Sequence, residues 1–283
     1  VLPLGCGKPL ALAMGRLTIE ITRRCNMRCN HCLRGDAEDL DISQNLVQDL
    51  FAGVKSVDVL TFCGGEPTLA VPQMRWALDE CRKNGIDVRE VYIVTNGLVV
   101  SDEFVQACRD WHSYCIERQF VADGSAPYIG GYEAKRILKV VLSDNADGRS
   151  GCVVAVSLDA YHDDIPFGNL ARLVLDKAHD MRDDYRWLLH EGRAAFNGMG
   201  DPDMKSRTPW AYGDRGRRID LEPYPTGDAC VENLYVNAEG SLLKGCDYSY
   251  VTQEDYILGH VDGPGWADRF IKAHENHDIG EPD

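Results

Sequence analysis

Three cysteines, Cys25, Cys29 and Cys32, share the eight-residue stretch "CNMRCNHC", directly after "RLTIEIT", which reads as a strand. Their chemistry turns on number. A structural zinc takes four ligands, usually from two separated pairs, and His31, set between two thiols, can hardly turn its ring to the same ion. An iron–sulfur cube also takes four thiolates, so a loop that supplies three leaves one iron open, and an open iron is a functional group. A zinc loop, or three plain core thiols, are the competing readings.

A second constellation, Cys63-Gly64-Gly65-Glu66-Pro67, follows the strand-like "VDVLTF". Two glycines at a strand end let the backbone approach a ligand closely, and a carboxylate behind them can receive an ammonium group. Farther on, Thr95-Asn96-Gly97 and Ser157-Leu158-Asp159 each close an apolar run. Polar groups in such places point into a barrel mouth, where Asn96, Ser157 and Asp159 can bind hydroxyls or a carboxylate. The plainer reading makes Asn-Gly a turn and Asp159 a helix cap.

Elements that position these groups follow from apolar periodicity. Strands are expected at Leu17–Thr22, Val57–Phe62, Val88–Val94, Val153–Leu158 and Tyr185–Leu189, with a further one near Tyr114–Arg118. Helices are expected at Ser43–Lys55, Val71–Asn84 ending at Gly85, Asp102–His112, Glu133–Leu142 and Asn169–Arg182. Strand–helix alternation of this kind predicts a parallel α/β sheet or barrel with helices outside. Function then belongs at the carboxyl ends of the strands, where all of these motifs fall.

The chain of 283 residues has material for one large α/β domain with a modest extension. Its net charge of −15 disfavours polyphosphate partners, Arg16 to Arg34 and Arg215-Gly-Arg217-Arg218 being the local basic candidates. Eleven cysteines without a secretory leader argue for a reducing compartment, hence a cytoplasmic location, and for metal or catalysis rather than disulfides. No apolar run has the ~18 residues of a membrane helix. Cys81, Cys108 and Cys115 read as small core residues, and His162, beside Asp159, as a loop histidine or a proton carrier.

At the end of the first strand, Cys25-x-x-x-Cys29-x-x-Cys32 resembles the signature of the radical S-adenosylmethionine (radical SAM) superfamily. The resemblance implies a partial (β/α)6 TIM-type barrel and a [4Fe–4S] cluster on Cys25, Cys29 and Cys32. In that family the open iron chelates SAM and cleaves it reductively to methionine and a 5′-deoxyadenosyl radical. Cys63 to Pro67 is similar to the family's GGE(P) element, which assigns Gly64, Gly65 and Glu66 to the SAM amino group. His31 stands where most members carry an aromatic near the adenine. The Thr95-Asn96-Gly97 and Ser157-Leu158-Asp159 ends resemble elements of peptide-modifying members, and Gly192-Arg193-Ala194 a "GRA" element in which Arg193 pairs the SAM carboxylate or a neighbouring Asp.

From Cys230 to Val261, a cysteine, a glycine at 240, Cys246 and "LGHV" resemble the opening of a SPASM or Twitch extension, with Glu239-Gly240 as a hairpin turn. Later cysteines of a full module are missing. Two alternatives follow: an auxiliary iron–sulfur cluster on Cys230 and Cys246 completed by Cys6 or Cys152, or a degenerate extension forming a substrate wall, in which one thiol, Cys246 or Cys230, donates a hydrogen atom. The expected organisation is a tail at 1–15, a core barrel at 16–200 and an extension with a β-hairpin at 201–283. The expected activity is hydrogen abstraction from a peptide or small natural product, leading to epimerisation, dehydrogenation or crosslinking. Electrons would come from a flavodoxin or ferredoxin. The alternatives are a glycyl-radical activase and a non-catalytic iron–sulfur or SAM-binding protein.

Overall fold

The computed structural model describes residues 10–29, 32, 34–118, 137–142, 151–157, 165–166, 168–169, 172, 219–223, 228–245 and 248–275. Apolar residues alternate along β1 (Leu12–Thr22), β2 (Val54–Gly64) and β3 (Asp87–Thr95), and each strand buries one row against helices. Leu17, Ile19, Leu60, Phe62, Val91 and Ile93 form that row; it packs on Val47, Leu50 and Phe51 of α1 (Gln44–Ala52), Met74 and Leu78 of α2 (Val71–Asn84), and Phe104 and Trp111 of α3 (Asp102–Arg118). Ser43 caps α1 by accepting from Leu46 N at 3.2 Å, and Gly85 ends α2 with a left-handed φ of 66°.

Among the described residues the strands form one nine-stranded sheet. β1, β2, β3 and β5 (Cys152–Ser157) run parallel in the spatial order β5-β3-β2-β1. Their shared register, Leu17 with Leu60 with Val91 with Cys152, brings the carboxyl ends of β1, β2 and β3 to one edge. At one flank β4 (Ile137–Leu142) pairs antiparallel with β5. At the other, β7 (Ala229–Val236) pairs parallel with β1, carries the two-residue β6 (Glu222–Pro223), and turns into β8 (Ser241–Leu243) and β9 (Gly259–His260). The fold is mixed α/β with a parallel centre, and among the described residues the sheet does not close.

Two expectations are corrected. Tyr114–Arg118 is the last part of α3, not a strand, because Trp111, Tyr114 and Cys115 recur at helical spacing and Tyr114 Oη donates to the Cys81 and Ile86 carbonyls at 3.0 and 2.5 Å. Ile137–Leu142 is strand β4 rather than the end of a helix from Glu133, since "ILKVVL" is short and β-branched. The expected strand at Tyr185–Leu189 and most of the helix at Asn169–Arg182 lie outside the described residues.

The hairpin expected at Glu239-Gly240 is present: Gly240 N donates to Asn237 O at 2.9 Å, and Gly240 has a φ of 88° that favours glycine. A final helix, α4 (Trp266–Glu275), docks on α1 by its indole, which donates to the Asp49 and Leu50 carbonyls at 2.9 and 3.1 Å. No helix among the described residues is long and apolar enough to cross a membrane.

Candidate functional site

The cysteine loop leaves β1 at Thr22 and is closed at its base by the returning segment 38–42. Arg23 N donates to Leu40 O at 2.7 Å, Glu38 N to Arg23 O at 3.1 Å, and Arg24 holds Asp41 through Nε and Nη2 at 2.8 and 2.7 Å. Within the loop Cys32 N donates to Cys29 O at 3.1 Å, and Met27 N contacts Cys25 Sγ at 3.4 Å. The thiols of Cys25, Cys29 and Cys32 are all half-buried. Burial pushes the Cys25 thiol up, against the pull of the Met27 and Asn26 amides; the Glu66 carboxylate and Cys32 add to the rise.

The end of β2 lies directly beneath this loop. Gly65 N donates to Thr22 O and Glu66 N to Arg24 O, both at 2.8 Å. A Cβ at Gly64 would stand 2.0 Å from Thr22 O, and one at Gly65 would stand 2.3 Å from Arg24 O. These two glycines are therefore required by the approach of β1's end, a constraint internal to the fold and additional to the ligand approach expected of them.

Glu66 is buried at 1% exposure. Its Oε1 accepts from Thr68 N at 3.0 Å and from the Thr68 and Thr95 hydroxyls, each at 2.7 Å, while Oε2 accepts from Asn96 N at 2.8 Å. Asn96 then reaches the cysteine loop: its Nδ2 donates to Asn26 Oδ1 at 2.8 Å and its Oδ1 accepts from Leu98 N at 3.0 Å. Gly97, with φ 74°, completes the turn. Cys25–Cys32, Gly64–Glu66 and Asn96 are thus brought together by three parallel strand ends.

On the far side of the loop stands the C-terminal segment. Glu20, with no exposed surface, accepts from Arg23 Nε at 2.8 Å, Ala238 N at 3.2 Å, Gln253 Nε2 at 3.0 Å and the Tyr235 hydroxyl. Burial alone would raise the Glu20 carboxyl, but Arg34, Tyr235, Arg23 and Gln253 hold it below its ordinary value. Arg23 also bonds Glu38, Glu239 and Gln253 at 2.8, 2.9 and 3.1 Å and lies 4.7 Å from the Tyr250 ring centroid. The basic character expected between Arg16 and Arg34 is therefore neutralised at Arg23 and Arg24 by carboxylates.

Other expected site residues are dispersed. Cys230 pairs with Ala13 in register, at the amino end of β1; nine residues of strand rise, about 30 Å, separate Ala13 from Thr22 and the cysteine loop beyond it. Burial, with Glu222 and Asp58, raises the Cys230 thiol. Cys152 is fully buried on β5, beyond β3, β2 and β1 from Cys230, so the two do not share a cluster. Cys81, Cys108 and Cys115 are core residues, as expected. Ser157 ends β5. His31, Asp159, His162, Arg193, Cys246 and Cys6 lie outside the described residues. Sequence reasoning missed Asn26 and Glu20; the Arg23-Arg24 doublet at the mouth of the loop was the available signal.

The donor set suits a cluster: three half-buried thiols on one loop, one of them already facing a backbone amide. Among the described residues no three His, Cys, Asp or Glu side chains gather as ligands of a single ion, and a cube distributes its thiolates one to an iron.

The comparisons with known proteins bear on the same segment. Residues 19–139 match the family model described as "Radical SAM superfamily". No curated protein matches the sequence. Among solved structures, SuiB of Streptococcus suis bound to the precursor peptide SuiA is 24% identical over 33% of this chain, with a TM-score of 0.26; this chain spans 21% of SuiB's length. The protein anSMEcpe with bound AdoMet is 12% identical over 94% of this chain and 82% of its own, with a TM-score of 0.41. BtrN in complex with AdoMet and 2-DOIA is 14% identical over 94% and 83%, with a TM-score of 0.38. The segment that matches the Radical SAM superfamily model, residues 19 to 139, is the one that carries the cysteine loop, Glu66 and Asn96.

Proposed function

We propose that this protein is a radical SAM enzyme that acts on a peptide or small natural product. Cys25, Cys29 and Cys32 would hold a [4Fe–4S] cluster; when bound, it supplies the electron that splits SAM into methionine and a 5′-deoxyadenosyl radical. The chain's own residues orient the reactants and keep water and stray hydrogen donors away. Gly64, Gly65 and Glu66 hold the amino group of SAM, with Glu66 kept in place by Thr68, Thr95 and Asn96. Asn96, Ser157, Asp159 and Arg193 are assigned to its remaining polar groups, and His31 to the adenine. Of the two hydrogen-donor candidates Cys246 is preferred, because Cys230 stands at the opposite end of β1.

The single observation that supports this reading is the joining of the three-thiol loop to a buried carboxylate through Asn26, Asn96 and the β2 turn, inside a segment matched by the family model. Anaerobic reconstitution with iron and sulfide, then dithionite and SAM, tests it. The native chain should bind iron and release 5′-deoxyadenosine, and the triple Cys25, Cys29 and Cys32 to alanine variant should do neither. Zinc in the native loop, or intact SAM, would overturn the reading.

A further inference from the structure

Residues 22–24 are tied to the fold at the base of the cysteine loop, through the Thr22 and Arg24 carbonyls on the β2 turn and the Arg24 side chain on Asp41. Residues 25–27 are held in another way. Met27 N turns back onto Cys25 Sγ within the loop, and the bond that leaves the stretch is the one from Asn96 Nδ2 to Asn26 Oδ1, at 2.8 Å. Asn26 is itself exposed, whereas Asn96, just past the end of β3, is buried. An exposed loop side chain thus gives its acceptor to a buried donor on a different strand end.

A backbone group fixes the direction of this bond. Leu98 N donates to Asn96 Oδ1 at 3.0 Å, and an amide N–H cannot turn into an acceptor. Asn96 must therefore point its NH2 at Asn26, and Asn26 must answer with its oxygen. Asn96 is held a third time by its own N, which donates to Glu66 Oε2 at 2.8 Å. The NH2 of Asn26 donates to nothing among the described residues, so the oxygen is the part of this side chain that the fold uses. Asn26 and Asn96 together make a two-bond bridge from the residue beside a loop thiol to the buried carboxylate.

We propose that Asn26 is a positioning residue that acts through Asn96: it holds the first loop thiol in a fixed place relative to the Glu66 pocket and so sets the affinity for SAM. The proposal rests on the cluster and SAM assignments above. A cofactor held at two points binds tightly only when the protein keeps those points at the separation the cofactor spans. Breaking the Asn26–Asn96 bond leaves the loop its thiols and its base, and iron uptake survives. It also frees Cys25 to drift from Glu66.

The test uses the reconstituted full chain and two readouts: the SAM dissociation constant by equilibrium dialysis, and the change in the electron paramagnetic resonance signal of the dithionite-reduced cluster on adding SAM. The variants are Asn26→Ala, Asn26→Asp, Asn96→Ala and the double alanine. With iron at the native level, Asn26→Ala should bind SAM about tenfold more weakly, the scale of one hydrogen bond to a buried donor, and its signal should respond less to SAM. Asn26→Asp keeps an oxygen for Asn96 Nδ2 and should stay within about threefold of native. Because Asn26 acts through Asn96, the double variant should be no weaker than Asn96→Ala alone.

A native dissociation constant in Asn26→Ala overturns the proposal, as does an Asn26→Asp as weak as Asn26→Ala, or a double variant weaker than Asn96→Ala. Loss of iron from Asn26→Ala gives the residue a part in building the loop and also overturns it. A native chain that takes up no iron, or takes up iron and binds no SAM, overturns the functional reading and this proposal together. An iron-loaded native chain that binds SAM, beside an Asn26→Ala that binds it equally well, overturns this proposal alone.

Discussion

Glu66 and Gly65 show how closely the residues of the candidate site are bound to the fold. The Glu66 carboxylate accepts four hydrogen bonds in a buried position, two of them from hydroxyls that can rotate and two from backbone amides that cannot. Glu66→Gln turns an NH2 toward one of those donors and should cost about 2–3 kcal/mol, read as a lower denaturant midpoint at unchanged slope. Gly65→Ala acts by a different route. Its Cβ meets the Arg24 carbonyl at 2.3 Å, a backbone atom with no side chain to yield. The expected outcome is a chain with native helical circular dichroism and strongly reduced iron uptake, because the cysteine loop must lift from the β2 turn.

Among the elements, those whose partners are near in sequence were legible, and those whose partners are remote were not. The helix Val71–Asn84 and its stop at Gly85 could be read directly, because its apolar spacing and left-handed glycine are local signals. β1, β2 and β3 announced themselves by alternation, although each proved longer than its apolar stretch. The reading of 137–142 failed because a short apolar run has no period of its own. Nothing local tells Arg23 that Glu239 and Gln253 will face it, and the site's second wall stayed hidden for that reason. Arg23→Met removes the guanidinium bonded to buried Glu20 and should destabilise by about 3–5 kcal/mol, measured by chemical denaturation.

The same Glu20 sets an acid limit. Its folded carboxyl lies below the ordinary 4.5, so its stabilising contribution is present above that value and is lost as pH falls through the folded one. The melting temperature of the native chain should therefore drop more steeply below about pH 4.5 than that of Glu20→Gln.

At the scale of the whole molecule, the sheet joins residues 12–22 to residues 229–236 in one parallel pair. Removing residues 219–283 would strip β1 of that neighbour and expose a long apolar edge. The truncated chain should elute on gel filtration as larger species than the full chain does. Trp266 contributes from the same region, buried at 1% exposure against α1. Trp266→Ala should cost about 3–5 kcal/mol, visible as a lowered thermal midpoint without loss of the loop's cysteine contacts.

The bonds from Arg23 to positions 239 and 253 also order events during synthesis. A nascent chain that has emerged only as far as β3 already carries every loop thiol, yet it lacks the wall against which the loop is moulded. The contacts of Arg23 with Glu239 and Gln253 can form only after residue 253 has left the ribosome, so a cluster bound by the loop thiols would meet its completed surroundings only after translation of that point.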